Sequence, residues 1–274
     1  MPPKLGIVAG SGALPRKIIE SAQRQGRACF VIGFPDQTDP ETLAAAPSAL
    51  GRLGGAGTVI KRFRREGVEE LVLAGAIRRP SLLQLKPDWF TTRALAKIGV
   101  RALGDDGLLR SIIKLIEEEG FRVVSAQEIT GDLIVGAGVQ GRHKPDATAQ
   151  EDIRRGMEVA RALGAVDVGQ SVVVQQGIVL GVEAIEGTDA LLARCGDLAR
   201  EGAGGVLVKV VKPDQDRRAD LPAVGSQTVR NAADAGLRGI AIQAGGALMI
   251  DREEMLAEAD RRNLFLIGVP VRDD

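Results

Sequence analysis

The stretch that decides the fold is residues 5–33, LGIVAGSGALPRKIIESAQRQGRACFVIG. Leu5–Ala9 is a short apolar run typical of a buried strand, Leu14–Gln25 has the pattern of a helix, and Ala28–Gly33 is a second apolar run. A helix between two buried strands is a βαβ unit of the kind that binds mononucleotides. The sequence therefore predicts a Rossmann-like N-terminal domain with a parallel sheet.

The turn Gly10-Ser11-Gly12 follows the first strand directly. Glycines let backbone N–H groups approach a phosphate, and the amino end of the next helix adds partial positive charge. Pro15 stands where the third glycine of the dinucleotide fingerprint G-x-G-x-x-G would be. The turn therefore indicates a phosphate or ribose contact, and a tight turn without a ligand is the alternative.

Two further segments of this half are candidates for ligand contact. Gly75, Ala76 and Ile77 end the predicted strand 68–77, and ligands of open α/β sheets bind at the carboxyl ends of strands. Asp105 and Asp106 precede a predicted helix that one aspartate can cap. Because adjacent carboxylates repel each other, we expect the other one to contact a ligand.

The second half of the chain also alternates strands and helices, starting with strands paired around Gln176-Gly177. We expect an N-terminal domain over 1–130, a linker over 131–148 and a smaller C-terminal α/β domain with a mixed sheet over 149–274. Ligands favour clefts between domains, so a cleft is expected there, with Lys144 of the linker available to it.

The most highly charged segment of this second domain is VLVKVVKPDQDRRADLPAVG, residues 206–225. A strand carries Lys209 and Lys212, and the loop after it contains Asp214, Asp216, Arg217, Arg218 and Asp220. A diphosphate needs cations against its oxygens, and Mg²⁺ needs one or two carboxylates. The segment thus indicates a site for metal and phosphate, with a solvated charged loop as the alternative.

Composition excludes several classes of protein. The chain has one histidine and no tyrosine, which argues against histidine-based zinc sites and triads. Its 36 basic and 36 acidic residues give a net charge of zero, so nothing calls for nucleic acid. We expect a cytoplasmic protein, because no signal peptide or apolar run of ~20 residues is evident and its two cysteines lie far apart.

Five motifs distributed over the whole chain resemble the LpxI family, the UDP-2,3-diacylglucosamine pyrophosphatases of lipid A biosynthesis. They are LGIVAGSGALP (5–15), AGAIRRP (74–80), GDDGLLR (104–110), VEAIEGTDALLAR (182–194) and KPDQDRRADLPAVG (212–225). The resemblance implies Mg²⁺-dependent hydrolysis of UDP-2,3-diacylglucosamine to UMP and 2,3-diacylglucosamine 1-phosphate. It also implies two domains with substrate between them and an essential aspartate at the position of Asp220.

We assign roles to these residues as a hypothesis. Mg²⁺ would be held by Asp220 together with Asp216 or Glu183. The phosphate oxygens would be neutralised by Lys209, Lys212 and Arg217, and Thr188 would orient phosphate or water. The residues expected to seat the rest of the substrate are Gly10, Ser11, Gly12, Gly75, Ala76, Ile77, Asp105, Asp106 and Lys144.

The expected substrate carries two acyl chains and resides in a bilayer, so the resemblance implies peripheral contact with the inner membrane. The sequence leaves a homodimer open. Two rival functions use the same predicted features: a non-catalytic carrier of nucleotide sugars or lipids, and a nicotinamide-dependent oxidoreductase that would use the turn Gly10-Ser11-Gly12.

Overall fold

The computed structural model describes residues 2–78, 87–92, 105–131, 133–212, 216, 218 and 221–270, with only the backbone at 105, 106 and 108. The chain divides into two compact units. The N-terminal unit comprises residues 1–132 with 216–220, and the C-terminal unit comprises 133–215 with 221–274. Each unit is an α/β structure with its own sheet, which confirms the predicted fold class.

The sheet of the N-terminal unit has five parallel strands within the described residues, in the order β3-β2-β1-β4-β5. The strands are β1 (Leu5–Ala9), β2 (Cys29–Gly33), β3 (Ser48–Leu50), β4 (Glu70–Ala74) and β5 (Arg122–Val123). β1 pairs with β2 on one side and β4 on the other, so the strand order reverses beside β1. The predicted Rossmann-like parallel sheet is therefore correct.

Helices of this unit cover its sheet. They are α1 (Leu14–Arg24), α2 (Pro40–Ala44), α3 (Ala56–Arg65), α4 (Asp105–Glu118) and α5 (Ala126–Thr130). α1 buries Ile18, Ile19 and Ala22, the stripe that its sequence period predicts. On α3, Phe63 packs edge-to-face against Phe30 of β2, with ring centroids 6.4 Å apart.

The predicted strand 68–77 is longer than the observed β4. β4 ends at Ala74 because Gly75 has φ +86°, a backbone conformation that does not occur in an extended strand. The chain therefore turns here, and Ala76 and Ile77 lie beyond the sheet.

The C-terminal unit has a mixed sheet of six strands among the described residues, in the order β6-β13-β11-β9-β7-β8. The strands are β6 (Gly138–Val139), β7 (Ser171–Gln175), β8 (Ile178–Val182), β9 (Val206–Lys209), β11 (Gly239–Gln243) and β13 (Phe265–Val269). β10 (Ala223–Val224) and β12 (Leu248–Met249) form a separate parallel pair. The sequence predicts the smaller domain here, but its main sheet has more strands than that of the N-terminal unit.

The sheet of the C-terminal unit contains one predicted hairpin and one edge strand from the predicted linker. β7 and β8 form the predicted antiparallel hairpin around Gln176-Gly177, and both turn residues have positive φ. β6 lies within the predicted linker and pairs antiparallel with β13 at the sheet edge.

The helices of the C-terminal unit are α6 (Ala147–Ala165), α7 (Thr188–Gly196), α8 (Ser226–Asp234) and α9 (Arg252–Arg261). α6 is the longest and packs on β7 and β9. Its buried side includes Ile153, Met157 and Ala160, which share a core with Val208 of β9. Gly156 lies over β9 so closely that a Cβ there would overlap the side chain of Val208.

Gly156→Ala tests this close packing. Alanine favours a helix over glycine by about 1 kcal/mol, but overpacking a core costs about 1–3 kcal/mol. Because the gain in helix propensity offsets part of the packing cost, we expect the substitution to lower the free energy of unfolding by up to about 2 kcal/mol in urea denaturation. Arg161→Ala, at an exposed position of the same helix, is the control and should leave stability nearly unchanged. A more stable Gly156→Ala variant would contradict the packing described.

Candidate functional site

A buried lysine lies at the centre of a polar cluster in the C-terminal unit. Lys209, the last residue of β9, is only 6% exposed. Its Nζ donates hydrogen bonds to Thr188 Oγ1 at 2.7 Å and to Ser171 Oγ at 3.2 Å. Because a buried ammonium group is costly without hydrogen-bond partners, these hydroxyls stabilise it and hold it in position.

The cluster extends from Thr188 to a buried carboxylate. Thr188 Oγ1 donates to Glu183 Oε1 at 2.8 Å, and Glu183 is 7% exposed. The same hydroxyl lies 3.3 Å from Ser171 Oγ. Thr188 therefore accepts a hydrogen bond from the lysine and donates one to the glutamate, which links a cation to an anion through one hydroxyl. We call Lys209, Thr188, Glu183 and Ser171 the lysine cluster.

Strand pairing brings the lysine cluster together. Ser171 and Lys209 lie opposite each other in the antiparallel β7/β9 ladder, so their side chains share one face of the sheet. Glu183 follows β8, and its N–H donates to Ser171 O at 2.8 Å. A Cβ at Gly169 would overlap the carbonyl of Glu183, so glycine is needed for this approach.

Thr188 is the first residue of α7, which follows Gly187 with φ +81°. The helix ends at Gly196, and no side chain caps its amino end, where Gly187 is the N-cap residue. The hydroxyl of Thr188 therefore has no capping role. The described backbone thus directs Thr188 to the lysine cluster.

A second lysine of the same segment is held by an aspartate. Lys212 Nζ donates to Asp167 Oδ1 at 2.6 Å, and the lysine side chain is 10% exposed. Asp167 has φ +54°, a conformation that Asp tolerates better than most residues. Nearby, Gln243 Oε1 accepts a hydrogen bond from the N–H of Val211 at 3.2 Å.

Ser171 and Asp167 are absent from the sequence-based candidates. Ser171 lies in SVVVQ, where a single hydroxyl in a buried strand gives no local signal. Asp167 lies in the turn after α6, where aspartate is common for conformational reasons alone. Only the pairing of β7 with β9 and the contact with Lys212 reveal them.

The charged loop after β9 is described at two positions, Asp216 and Arg218, which group with the N-terminal unit. Asp216 Oδ1 accepts from the N–H and Nε of Arg218 at 3.0 Å each, and Oδ2 accepts from Nη2 at 2.8 Å. These bonds, followed by the charges of Arg218 and Arg110, lower the pKa of Asp216 although burial opposes the shift. Arg218 also donates to Glu117 Oε1 of α4 at 2.6 Å. Asp216 is therefore ionised near neutral pH.

Several predicted site residues lie outside the described part of the chain. These are Asp214, Arg217 and Asp220, together with the side chains of Asp105 and Asp106. Of the predicted metal ligands, Asp216 belongs to the N-terminal unit and Glu183 to the C-terminal unit. No three His, Cys, Asp or Glu residues among those described form a group that could hold a metal ion. The metal ligand set therefore stays a prediction.

The loops after β1 and β4, which contain Gly10 and Gly75, are joined by backbone hydrogen bonds. Ser11 N–H donates to Ala76 O at 2.8 Å and Ala76 N–H donates to Ser11 O at 3.1 Å. A Cβ at Gly10 would overlap the carbonyl of Ala76, and one at Gly75 would lie 2.5 Å from Ser11 O. Gly10 and Gly75 are thus needed where the loops after β1 and β4 meet, whether or not a ligand binds.

Gly12 has a different environment. It has φ +92°, and its N–H donates to Asp39 Oδ2 at 2.7 Å. A carboxylate therefore occupies the backbone donor that the sequence assigns to a phosphate.

The remaining candidates are at the surface. Ile77 is exposed after β4, and Lys144 is exposed two residues before Asp146, whose Oδ1 caps α6 by accepting from Ala149 N–H at 2.8 Å. Their contact with substrate stays a prediction, as does that of Gly10, Ser11, Gly12, Gly75 and Ala76.

Comparisons with known proteins match both halves of the chain. Residues 4–133 match the family model of the LpxI N-terminal domain, and residues 136–267 match that of the LpxI C-terminal domain. A UDP-2,3-diacylglucosamine pyrophosphatase LpxI from Caulobacter vibrioides is 40% identical over 273 residues, which cover 97% of each chain.

Two solved structures to which the chain is similar are far more distant than this relative. The enzyme WbmG of Bordetella bronchiseptica, in complex with NAD, is 20% identical, with 43% of this chain and 35% of that chain covered at a TM-score of 0.29. A CobK precorrin-6A reductase is 13% identical, with coverage of 98% and 88% and a TM-score of 0.33. Scores this low carry no inference about function.

Thr188→Val tests the lysine cluster. Valine keeps the shape but removes the hydroxyl, so Lys209 loses an acceptor and Glu183 loses a donor. Leaving buried polar groups unsatisfied costs about 1–3 kcal/mol, and we expect this loss in the free energy of unfolding measured in urea. Thr188→Ser keeps the hydroxyl and should lose less than half as much. Equal stabilities of the Val and Ser variants would show that the hydroxyl does not hold the cluster.

Proposed function

The chain belongs to the LpxI family, and on this premise we propose that it hydrolyses the diphosphate of UDP-2,3-diacylglucosamine in lipid A biosynthesis. The observation that carries this proposal is the 40% identity to the Caulobacter vibrioides pyrophosphatase over 97% of each chain. The matched region extends through both domains, so it spans the segments that contain the lysine cluster and the charged loop after it.

The products that we propose are UMP and 2,3-diacylglucosamine 1-phosphate. Water attacks the sugar-side phosphorus, the bond from that phosphorus to the bridging oxygen breaks, and UMP leaves with the bridging oxygen. Negative charge develops on the bridging oxygen and spreads over the equatorial oxygens of the transferred phosphoryl group. Catalysis then depends on cations held in position before the reaction begins.

Lys209 fits this requirement. Its ammonium group is fixed by Thr188 and Ser171 within a buried environment, where an electrostatic interaction is stronger than in water. Lys212 is restrained by Asp167 and is the second cation of the segment. We assign both lysines to the phosphate oxygens, and we assign Thr188 to the orientation of phosphate or water. Arg217 stays in the proposal as a third cation.

Mg²⁺ is the cofactor that we propose. Mg²⁺ takes oxygen ligands, uses one or two carboxylates and keeps waters and substrate phosphates as its other ligands. Asp216 and Glu183 provide the right ligand atoms, and a carboxylate oxygen has a second lone pair beyond the hydrogen bonds described. Asp220 would bind the same Mg²⁺ ion together with either Asp216 or Glu183. When bound, the metal would neutralise diphosphate charge and lower the pKa of a water molecule.

The proposed substrate determines where the protein acts. A lipid with two acyl chains stays in a membrane, so we propose a cytoplasmic enzyme that binds the inner-membrane surface peripherally. No helix in the described ranges is long and apolar enough to cross a bilayer. The N-terminal residues Gly10, Ser11, Gly12, Gly75, Ala76, Ile77, Asp105 and Asp106 and the C-terminal Lys144 stay in the proposal as substrate contacts.

Release of UMP from UDP-2,3-diacylglucosamine in detergent micelles tests the proposed function. We expect release with Mg²⁺, none with excess EDTA, and recovery when Mg²⁺ is restored. Asp220→Ala should lower kcat by about a hundredfold or more, while Asp197→Ala, the same substitution at an exposed acid of the C-terminal unit, is the control. With ¹⁸O-labelled water, the label should enter the sugar 1-phosphate and not UMP.

Three outcomes of this assay would contradict parts of the proposal. Full activity in EDTA would exclude the metal dependence. Label in UMP would place the attack at the other phosphorus. Bound substrate without UMP release, from folded protein with Mg²⁺, would instead support a carrier.

A further inference from the structure

A buried glutamine lies beside the segment that carries the two lysines assigned to phosphate. Gln243 is the last residue of β11 and is only 8% exposed. Its side-chain oxygen, Oε1, accepts a hydrogen bond from the N–H of Val211 at 3.2 Å. Burying an amide side chain is unfavourable without a hydrogen-bond partner, so the contact with Val211 accounts for a glutamine at this position.

This contact holds the chain in place beyond the end of β9. The described pairing of β9 with β7 and with β11 ends at Lys209. The next N–H, that of Val210, donates to Gln170 O at 2.9 Å, and the N–H of Val211 donates to Gln243. Because Gln170 precedes β7 and Gln243 ends β11, the backbone after β9 is bound on both sides.

The side chain of Gln243 takes the place of a backbone acceptor because the backbone of β11 turns away here. Gln243 O accepts from Gly246 N–H at 3.0 Å, and Gly245 has φ +71°, so a tight turn follows the strand. The turn also packs against Val211, since a Cβ at Gly246 would lie 2.5 Å from Val211 Cγ2. Val211 is thus held by Gln243 through its N–H and by Gly246 through its side chain.

Lys212 follows Val211 directly in the chain. Its side chain is 10% exposed, and its Nζ donates to Asp167 Oδ1 at 2.6 Å. The position of this ammonium group depends on the backbone that carries the side chain as well as on the aspartate that binds its end. Gln243 therefore acts on Lys212 through the peptide group of Val211.

We propose that Gln243 is a positioning residue for the hydrolysis: by binding the N–H of Val211, it sets where the ammonium group of Lys212 meets the phosphate oxygens. The inference rests on the proposed function, in which Lys212 is the second cation. A cation that stabilises developing charge must be in place before the reaction, and a misplacement of about 1 Å can lower the rate by about a hundredfold. The end of β11 thus contributes to a site whose cations lie on β9 and just after it.

Gln243→Met tests this role, because methionine keeps the length of the side chain and removes the acceptor. We expect kcat for UMP release in micelles with Mg²⁺ to fall by about tenfold, with a much smaller change in KM, since a misplaced cation weakens mainly the interaction made in the transition state. Gln150→Met, the same substitution at an exposed position of α6, is the control and should leave kcat unchanged.

A double-mutant cycle with Lys212→Met separates positioning from a general structural role. If Gln243 acts through Lys212, Gln243→Met should lower kcat by less than about twofold in protein that already lacks the lysine, because residues that act as a unit are not additive. The same tenfold loss in both backgrounds would overturn the proposal, since it would indicate a direct contact of Gln243 with substrate or a general disturbance of the fold.

Gly246→Ala reaches Val211 from its other side and replaces Gln243→Met if that variant does not fold. Its Cβ would displace the Val211 side chain, so we expect kcat to fall in the wild-type background and to change little in the Lys212→Met background. Equal losses in both backgrounds would again overturn the proposal.

The wild-type protein separates this proposal from the proposed function. No UMP release by folded wild-type protein with Mg²⁺ would contradict the hydrolase and the positioning role together. UMP release by the wild-type protein, with equal losses in both backgrounds, would support the hydrolase and overturn the positioning role alone.

Discussion

The structure of the C-terminal unit depends on one constraint: the ammonium group of Lys209 is buried and must have hydrogen-bond partners. Thr188 and Ser171 meet this need, and Thr188 also reaches Glu183. One hydroxyl therefore connects the buried ammonium group to a buried carboxylate and holds both side chains in position.

Strand register and two glycines bring the residues of the lysine cluster together. The register of β7 against β9 sets Ser171 opposite Lys209, Gly169 allows Glu183 to approach, and Gly187 starts α7 so that Thr188 points to the cluster. Each of these requirements is a backbone property. The residues of the lysine cluster are therefore held in place by strand pairing and by turns, the kind of preorganisation on which electrostatic catalysis depends.

Local patterns were enough to predict β1, α1, β2 and the hairpin around Gln176-Gly177, because each is specified by neighbouring residues. Lys209, Thr188 and Glu183 could also be named from the sequence. Their hydrogen bonds could not, because they depend on how β8, β9 and the start of α7 pack together. Ser171 meets Lys209 only because β7 and β9 pair across more than thirty residues. Ser171 was missed for the same reason. Gly10 and Gly75 show the reverse: the sequence suggests ligand contact, while the structure reveals contact between two loops.

The central claim is that Lys209 acts on the phosphate and is not merely part of the core. The most direct measurement is kcat for UMP release by Lys209→Met, which keeps the length and apolar stem of the side chain, together with its free energy of unfolding. We expect a loss in kcat of about a hundredfold or more in a protein that stays folded. UMP release at the wild-type rate by folded Lys209→Met would contradict it.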